Sequence, residues 1–125
     1  LFRIDLMSRT PVYEQIIEQL ENFVLTGAMK SGDKLPSVRS LSLSLSINPN
    51  TIQKAYSELD TKGIICSVPG KGSFITEKAL IILKQNKLSQ LSDFENLLEN
   101  LILAGISKDD IIDCVEKVYK RSRKI

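Results

Sequence analysis

A mainly α-helical chain carrying one small β-hairpin is what this sequence predicts, and three observations predict it. Turn formers crowd into residues 1–76, where Pro11, Gly27, Gly32, Pro36, Pro49, Gly63, Pro69, Gly70 and Gly72 all lie. Residues 77–125 hold no proline and a single glycine, Gly105. Within the first part, apolar stripes at helical spacing give way to short β-rich runs. The chain is therefore expected to divide near residue 77, with short elements in 1–76 and long helix in 77–125.

The first helix is expected to start at Thr10-Pro11, with threonine as cap and proline at the first helical position. Val12, Ile16, Leu20, Phe23 and Val24 form its stripe, Tyr13 and Ile17 widen it, and Gly27 stops it. A turn-rich link follows over 29–36. Ser37 then caps a second helix whose apolar face is Val38, Leu41 and Leu45. Asn48 caps a third, with Pro49 at its first position and a stripe of Ile52, Ala55, Tyr56 and Leu59 that ends at Lys62-Gly63. Ile64–Val68 and Ser73–Thr76 are β-rich and flank Pro69-Gly70-Lys71-Gly72, which predicts a hairpin. Three helices, a tight link between the second and third, and then a hairpin is the order of a winged helix-turn-helix. The third helix would present a polar face and the hairpin would be the wing.

Composition removes several classes of function. Apolar residues are 42% of the 125, enough for a packed core, and charged residues are 26% with both signs present. No run approaches the ~18 apolar residues of a membrane span. The N-terminus lacks the apolar core of a signal peptide, so the expected location is the cytoplasm. The chain has no histidine, which removes Ser-His-Asp and Cys-His catalysis and histidine-ligated metal sites. Cys66 and Cys114 are far apart in sequence and are expected as reduced thiols in core or boundary positions. Gly70-Lys71-Gly72 lacks the spacing of a phosphate-binding loop and would sit on a hairpin instead of leading into a helix. No catalytic residue, metal site or cofactor is expected.

Charge is distributed unevenly. Residues 29–72 carry Lys30, Lys34, Arg39, Lys54, Lys62 and Lys71 against Asp33, Glu58 and Asp60. This stretch alone is more positive than the whole chain, whose net charge is +2. The cations thus gather where a duplex would lie.

Five segments carry a resemblance. They are Pro11-Val-Tyr-Glu-Gln-Ile16, Gly32-Asp-Lys-Leu-Pro-Ser-Val-Arg39-Ser-Leu41, Asn48-Pro-Asn-Thr-Ile-Gln-Lys-Ala-Tyr-Ser-Glu-Leu59, Lys62-Gly-Ile-Ile65 and Pro69-Gly-Lys-Gly-Ser-Phe-Ile75. Together they resemble the GntR family of bacterial transcription regulators. The short C-terminal part and the Asn-Pro-Asn-Thr start of the third helix look like its YtrA subfamily. Two positions depart from the pattern: Val38, where the family usually has an acidic residue, and Ser46, where it often has glycine. The resemblance implies a repressor of neighbouring transporter genes that binds a double-stranded DNA operator. Larger relatives carry a separate effector domain. Here any small-molecule effector would have to use a cleft between domains or at a dimer interface.

The residues expected at the DNA follow from chemistry and from that resemblance together. Asn48, Asn50, Thr51, Gln53 and Lys54 surround the N-terminus of the third helix. Hydroxyl and amide groups there bond phosphates beside free helix N–H groups, and asparagine or glutamine pairs with adenine. Asn48 has a rival role as the cap, so Asn50 and Gln53 are the better candidates for base edges. Lys54 is expected at a phosphate or a guanine. Gly70 and Gly72 supply positive φ and a close approach of the wing, and Lys71 at its tip would meet phosphate or the minor groove. Arg39 is assigned a DNA contact by the resemblance. A winged-helix protein-interaction module would need no such polar and basic face.

From Glu77 to Leu103 a helix is expected to run almost unbroken, striped by Leu80, Leu83, Leu88, Leu91, Phe94, Leu98 and Leu101. The set 91, 94, 98 and 101 has coiled-coil spacing. Gly105 should end this helix, and Ser107 through Asp110 has the form of a capping box. Ile111, Ile112, Val115, Val118 and Tyr119 stripe a last helix that ends in Lys120-Arg121-Ser122-Arg123-Lys124. Stripes this wide need burial, so Leu88, Leu91, Phe94, Leu98, Leu101, Ile112, Val115 and Tyr119 are expected to hold a homodimer. The basic end reads as a solvated helix terminus, with an auxiliary DNA contact as the alternative.

Overall fold

The helix signals of the first part can be traced to the backbone groups they satisfy. The structure is a computed structural model and describes residues 1–122. Arg123 and Lys124 of the basic tail lie outside the described residues.

Helix α1 spans Val12–Thr26. Pro11 is its cap, with an extended ψ of 148°, so Thr10 is not the cap that its chemistry predicts. A longer side chain has taken that end of the helix. Gln15 is buried, its Nε2 donates to the carbonyls of Thr10 (2.8 Å) and Asp5 (2.9 Å), and its Oε1 accepts from Asp5 N–H (2.9 Å). One turn later Gln19 brackets the N–H and carbonyl of Arg3 in the same way. The segment before α1 is thereby fastened along it, and Phe2 is buried edge-on to Phe23 with ring centroids 5.4 Å apart. Gly27 closes α1 in the left-handed region.

Helix α2 spans Val38–Leu45, and Ser37 Oγ accepts from Ser40 N–H at 3.0 Å as its cap. It ends at Ser46, which sits at φ 55° and ψ 43°. Among the described residues this is the one non-glycine with positive φ, at the position where glycine is the more usual choice. Helix α3 spans Pro49–Thr61 and is capped by Asn48, whose Oδ1 accepts from Asn50 N–H at 2.8 Å. Tyr56 is buried and donates its hydroxyl to the Pro36 carbonyl at 2.7 Å, which ties α3 to the link before α2. Burial pushes the Tyr56 pKa from 10.0 up to about 12.

Strands β1 (Ile65–Val68) and β2 (Gly72–Ile75) pair antiparallel, with Ile65 opposite Ile75 and Val68 opposite Gly72. The link over 29–36, expected only as turns, adds to this hairpin. Leu35 N–H donates to Ser73 carbonyl (2.8 Å), Ile75 N–H to Asp33 carbonyl (2.9 Å), and Lys34 stands opposite Phe74. The core lies where these elements meet: Ile16 and Leu20 of α1, Ile52 and Leu59 of α3, then Ile64 and Ile65 are almost free of solvent.

Helix α4 spans Ala79–Leu88. Its Ala79 and Leu83 are buried in this same core, so the first compact unit runs to Lys87, past the boundary expected at residue 76. The expected continuous helix breaks at Ser89-Gln90, where the Ser92 hydroxyl donates to the Ser89 carbonyl at 3.0 Å. Such local side-chain bonds compete with the helical ladder. Helix α5 spans Leu91–Leu103, Gly105 follows at φ 82°, and Ser107 Oγ caps α6 (Lys108–Ser122) by accepting from Asp110 N–H at 3.1 Å. This second unit, from Leu88 onward, has no buried residue in either helix. Cys66 and Cys114 are free thiols, and both are exposed instead of lying in core or boundary positions. Among the described residues no helix is long and apolar enough to cross a membrane. None of them form a group of three or more potential metal ligands.

Candidate nucleic-acid interface

Helix α3 divides its surface between three tasks. Ile52, Ala55, Tyr56 and Leu59 face the core. On the side toward α1, Lys54 Nζ lies 3.8 Å from the Tyr13 ring centroid, and Lys62 pairs with Glu21 of α1 at 3.5 Å. Glu14, Glu18, Glu21 and Glu58 gather around that flank. The cations counted in residues 29–72 are therefore not all without a partner: Lys62 is matched by an anion, and Lys54, though exposed, has its ammonium over an aromatic face.

The remaining side of α3 is polar. Asn50 and Gln53 are exposed, and Thr51 is half-buried. Gln53 Nε2 donates to Ser57 Oγ at 3.2 Å, so the amide is steadied along the helix. A recess of about 170 Å³ runs between α3 and β1, lined by Gln53, Tyr56, Ser57, Asp60, Thr61 and Ser67, so one carboxylate stands toward the C-terminal end of this side. Ser57 was not singled out from the sequence; its signal there is the spacing of four residues from Gln53. At the helix start Asn48 does act as the cap through Oδ1, which leaves its amide NH₂ as the free donor.

Arg39 is exposed in the first turn of α2. With valine at position 38 it has no acidic neighbour there, and among the described residues it forms no ion pair. Lys71 is exposed at the wing tip, where its N–H closes the turn onto the Val68 carbonyl at 3.0 Å. Gly70 (φ 76°) and Gly72 (φ 115°) flank it in backbone conformations that side chains rarely adopt. A Cβ on Gly70 would meet nothing within 4 Å, so backbone conformation and not crowding selects glycine there.

The residues expected to hold a partner chain are uncovered. Leu88, Leu91, Phe94, Ile112, Val115 and Tyr119 are exposed, and Leu98 and Leu101 are half-buried.

Three helices with the third presenting a polar face, and a hairpin with a cationic tip, form a winged helix-turn-helix, the fold of a DNA-binding domain. The chain belongs to the GntR family: the family described as "Bacterial regulatory proteins, gntR family" matches residues 12–75. It is therefore a DNA-binding transcriptional regulator and not an enzyme. It is 39% identical over 119 residues to the HTH-type transcriptional repressor YtrA of Bacillus subtilis, covering 94% of this chain and 92% of that one. A GntR family transcriptional regulator from Listeria monocytogenes has a similar structure, with a TM-score of 0.73, 38% identity, and coverage of 91% of this chain and 98% of that one. The DNA-binding domain of AraR, solved in complex with operator ORX1, aligns at a TM-score of 0.53 and 26% identity over 59% of this chain and 92% of that one.

Proposed function

We propose that the chain acts as a homodimeric repressor in the cytoplasm, binding an operator of inverted half-sites near transporter genes. The observation that carries this reading is the polar face of α3, where Asn50 and Gln53 stand exposed, together with two exposed cations that form no ion pair among the described residues, Arg39 and Lys71. Asn50 and Gln53 read base edges in the major groove. Asn48 and Thr51 bond phosphate beside the helix N–H groups, and Arg39, Lys54 and Lys71 bind the backbone. Gly70 and Gly72 let the wing lie close to the duplex. The YtrA of Bacillus subtilis is a repressor, which supports the sign of regulation. Leu88, Leu91, Phe94, Leu98, Leu101, Ile112, Val115 and Tyr119 supply the dimer seam, because helices with no buried residue of their own lack a core. A small-molecule effector belongs to the same proposal.

Genome-wide selection of bound fragments tests this reading. An inverted repeat upstream of transporter genes is the expected result. Binding without sequence preference, or to direct repeats, would overturn it.

A further inference from the structure

Lys34 entered the sequence reading only as one cation of several. The fold gives it a place of its own. It lies in the segment that adds to β2, opposite Phe74, and is fixed there by the backbone bonds Leu35 N–H to Ser73 carbonyl and Ile75 N–H to Asp33 carbonyl. Residues two apart on a strand share a face, so Lys34 lies on the face of Phe74 and Gly72. Its stem uses the space that Gly72 leaves empty. A Cβ built on Gly72 would stand 2.8 Å from Lys34 Cε, 3.8 Å from Cδ and 3.6 Å from Nζ. The side chain thus runs across the base of the turn that carries Lys71. Gly72 has two reasons to be glycine: its φ of 115° and this passage.

The ammonium at the end of that stem is not compensated. Lys34 is exposed, and among the described residues it makes no ion pair. The nearest carboxylate in sequence, Asp33, makes no ion pair with it and accepts from Lys30 N–H at 2.8 Å. A lysine whose stem is packed along the wing holds its charge beside the tip with less freedom to lose on binding.

We infer that Lys34 is a second phosphate-binding cation of the wing, working beside Lys71. The inference rests on the DNA-binding reading above. A phosphate contact carries no sequence information, so its loss weakens binding to any duplex alike and lowers the salt dependence.

The test is titration of the full chain with a mixed-sequence duplex across a range of salt concentrations. Lys34→Gln keeps most of the stem over Gly72 and removes the charge. It should weaken binding about three- to tenfold at low salt and reduce the salt slope by about one per chain. Lys34→Arg should restore both. Thermal unfolding of Lys34→Gln should match the parent, which separates lost charge from lost fold. If the parent shows a normal salt slope and Lys34→Gln reproduces it, the lysine only packs against the wing and the inference is overturned. If the parent itself shows no salt-dependent binding, the DNA-binding reading falls first and takes this one with it.

Discussion

Tyr56 links packing to a measurable pH dependence. Burial raises its pKa from 10.0 to about 12, so the folded chain keeps this proton where an unfolded chain has lost it. The stabilisation is whole below the ordinary tyrosine pKa and is lost as pH rises toward about 12. Tyr56→Phe should remove that alkaline loss. At neutral pH it should cost about 1–2 kcal/mol, because the Pro36 carbonyl loses its partner. Urea unfolding at neutral pH and at about pH 11 checks both parts; an alkaline loss that survives in the variant would assign it to another group. Ser46 makes the opposite prediction. A serine at φ 55° is strained where glycine is not, so Ser46→Gly should stabilise the chain by about 1 kcal/mol, read as a higher denaturation midpoint. Both caps that rest on adjacent residues, Ser37 and Asn48, were legible in the sequence. Thr10 departs from that chemistry because the side chain that captures its carbonyl, Gln15, is about one turn into α1 and also serves Asp5.

At the scale of elements, the proposed interface gives α3 and the wing separable duties. Arg39→Ala and Lys71→Ala should weaken binding to every duplex and leave thermal stability alone, since both side chains are exposed. Each should lower the salt slope by about one per chain. Asn50→Ala or Gln53→Ala should instead relax base preference at one position of each half-site, a discrimination of about 1–3 kcal/mol. Titrations against an operator and its single-base variants distinguish the two groups, and four unchanged variants would mean that another face meets DNA. The order of the helices and the hairpin was legible because periodicity and turn residues are local. The bridge of Lys34 to Phe74 was not: a single bridged residue leaves no pattern and exists only by pairing with distant β2. The same holds for Lys54 and Lys62, whose partners Tyr13 and Glu21 lie on another helix.

For the whole molecule, the uncovered apolar residues of α5 and α6 set the assembly prediction. Leu98→Glu with Leu101→Glu should turn a dimer into a monomer by placing charges in the seam. Tight operator binding should fall with it, because two half-sites no longer share one binding event. The first unit should keep its helical signal, since its core draws no residue from α5. Sedimentation decides it, and either a parent that is monomeric at micromolar concentration or a double variant that remains dimeric would place the interface elsewhere. The apolar stripe of this half was legible, but its division was not. Sequence alone did not separate Ala79 and Leu83, which complete the first core, from Leu91 onward, because both stretches have the same helical period.

The pairing of Asp33–Leu35 with β2 also bears on how the domain loses its structure. An isolated two-stranded hairpin is marginal in water. This one is completed by a segment that precedes α2, so closing it encloses α2 and α3 in the same loop. Wing and α3 are consequently expected to belong to one cooperative unit. A chain that loses α2 or α3 should lose the wing as well, so Lys71 and Gln53 are displayed together or not at all.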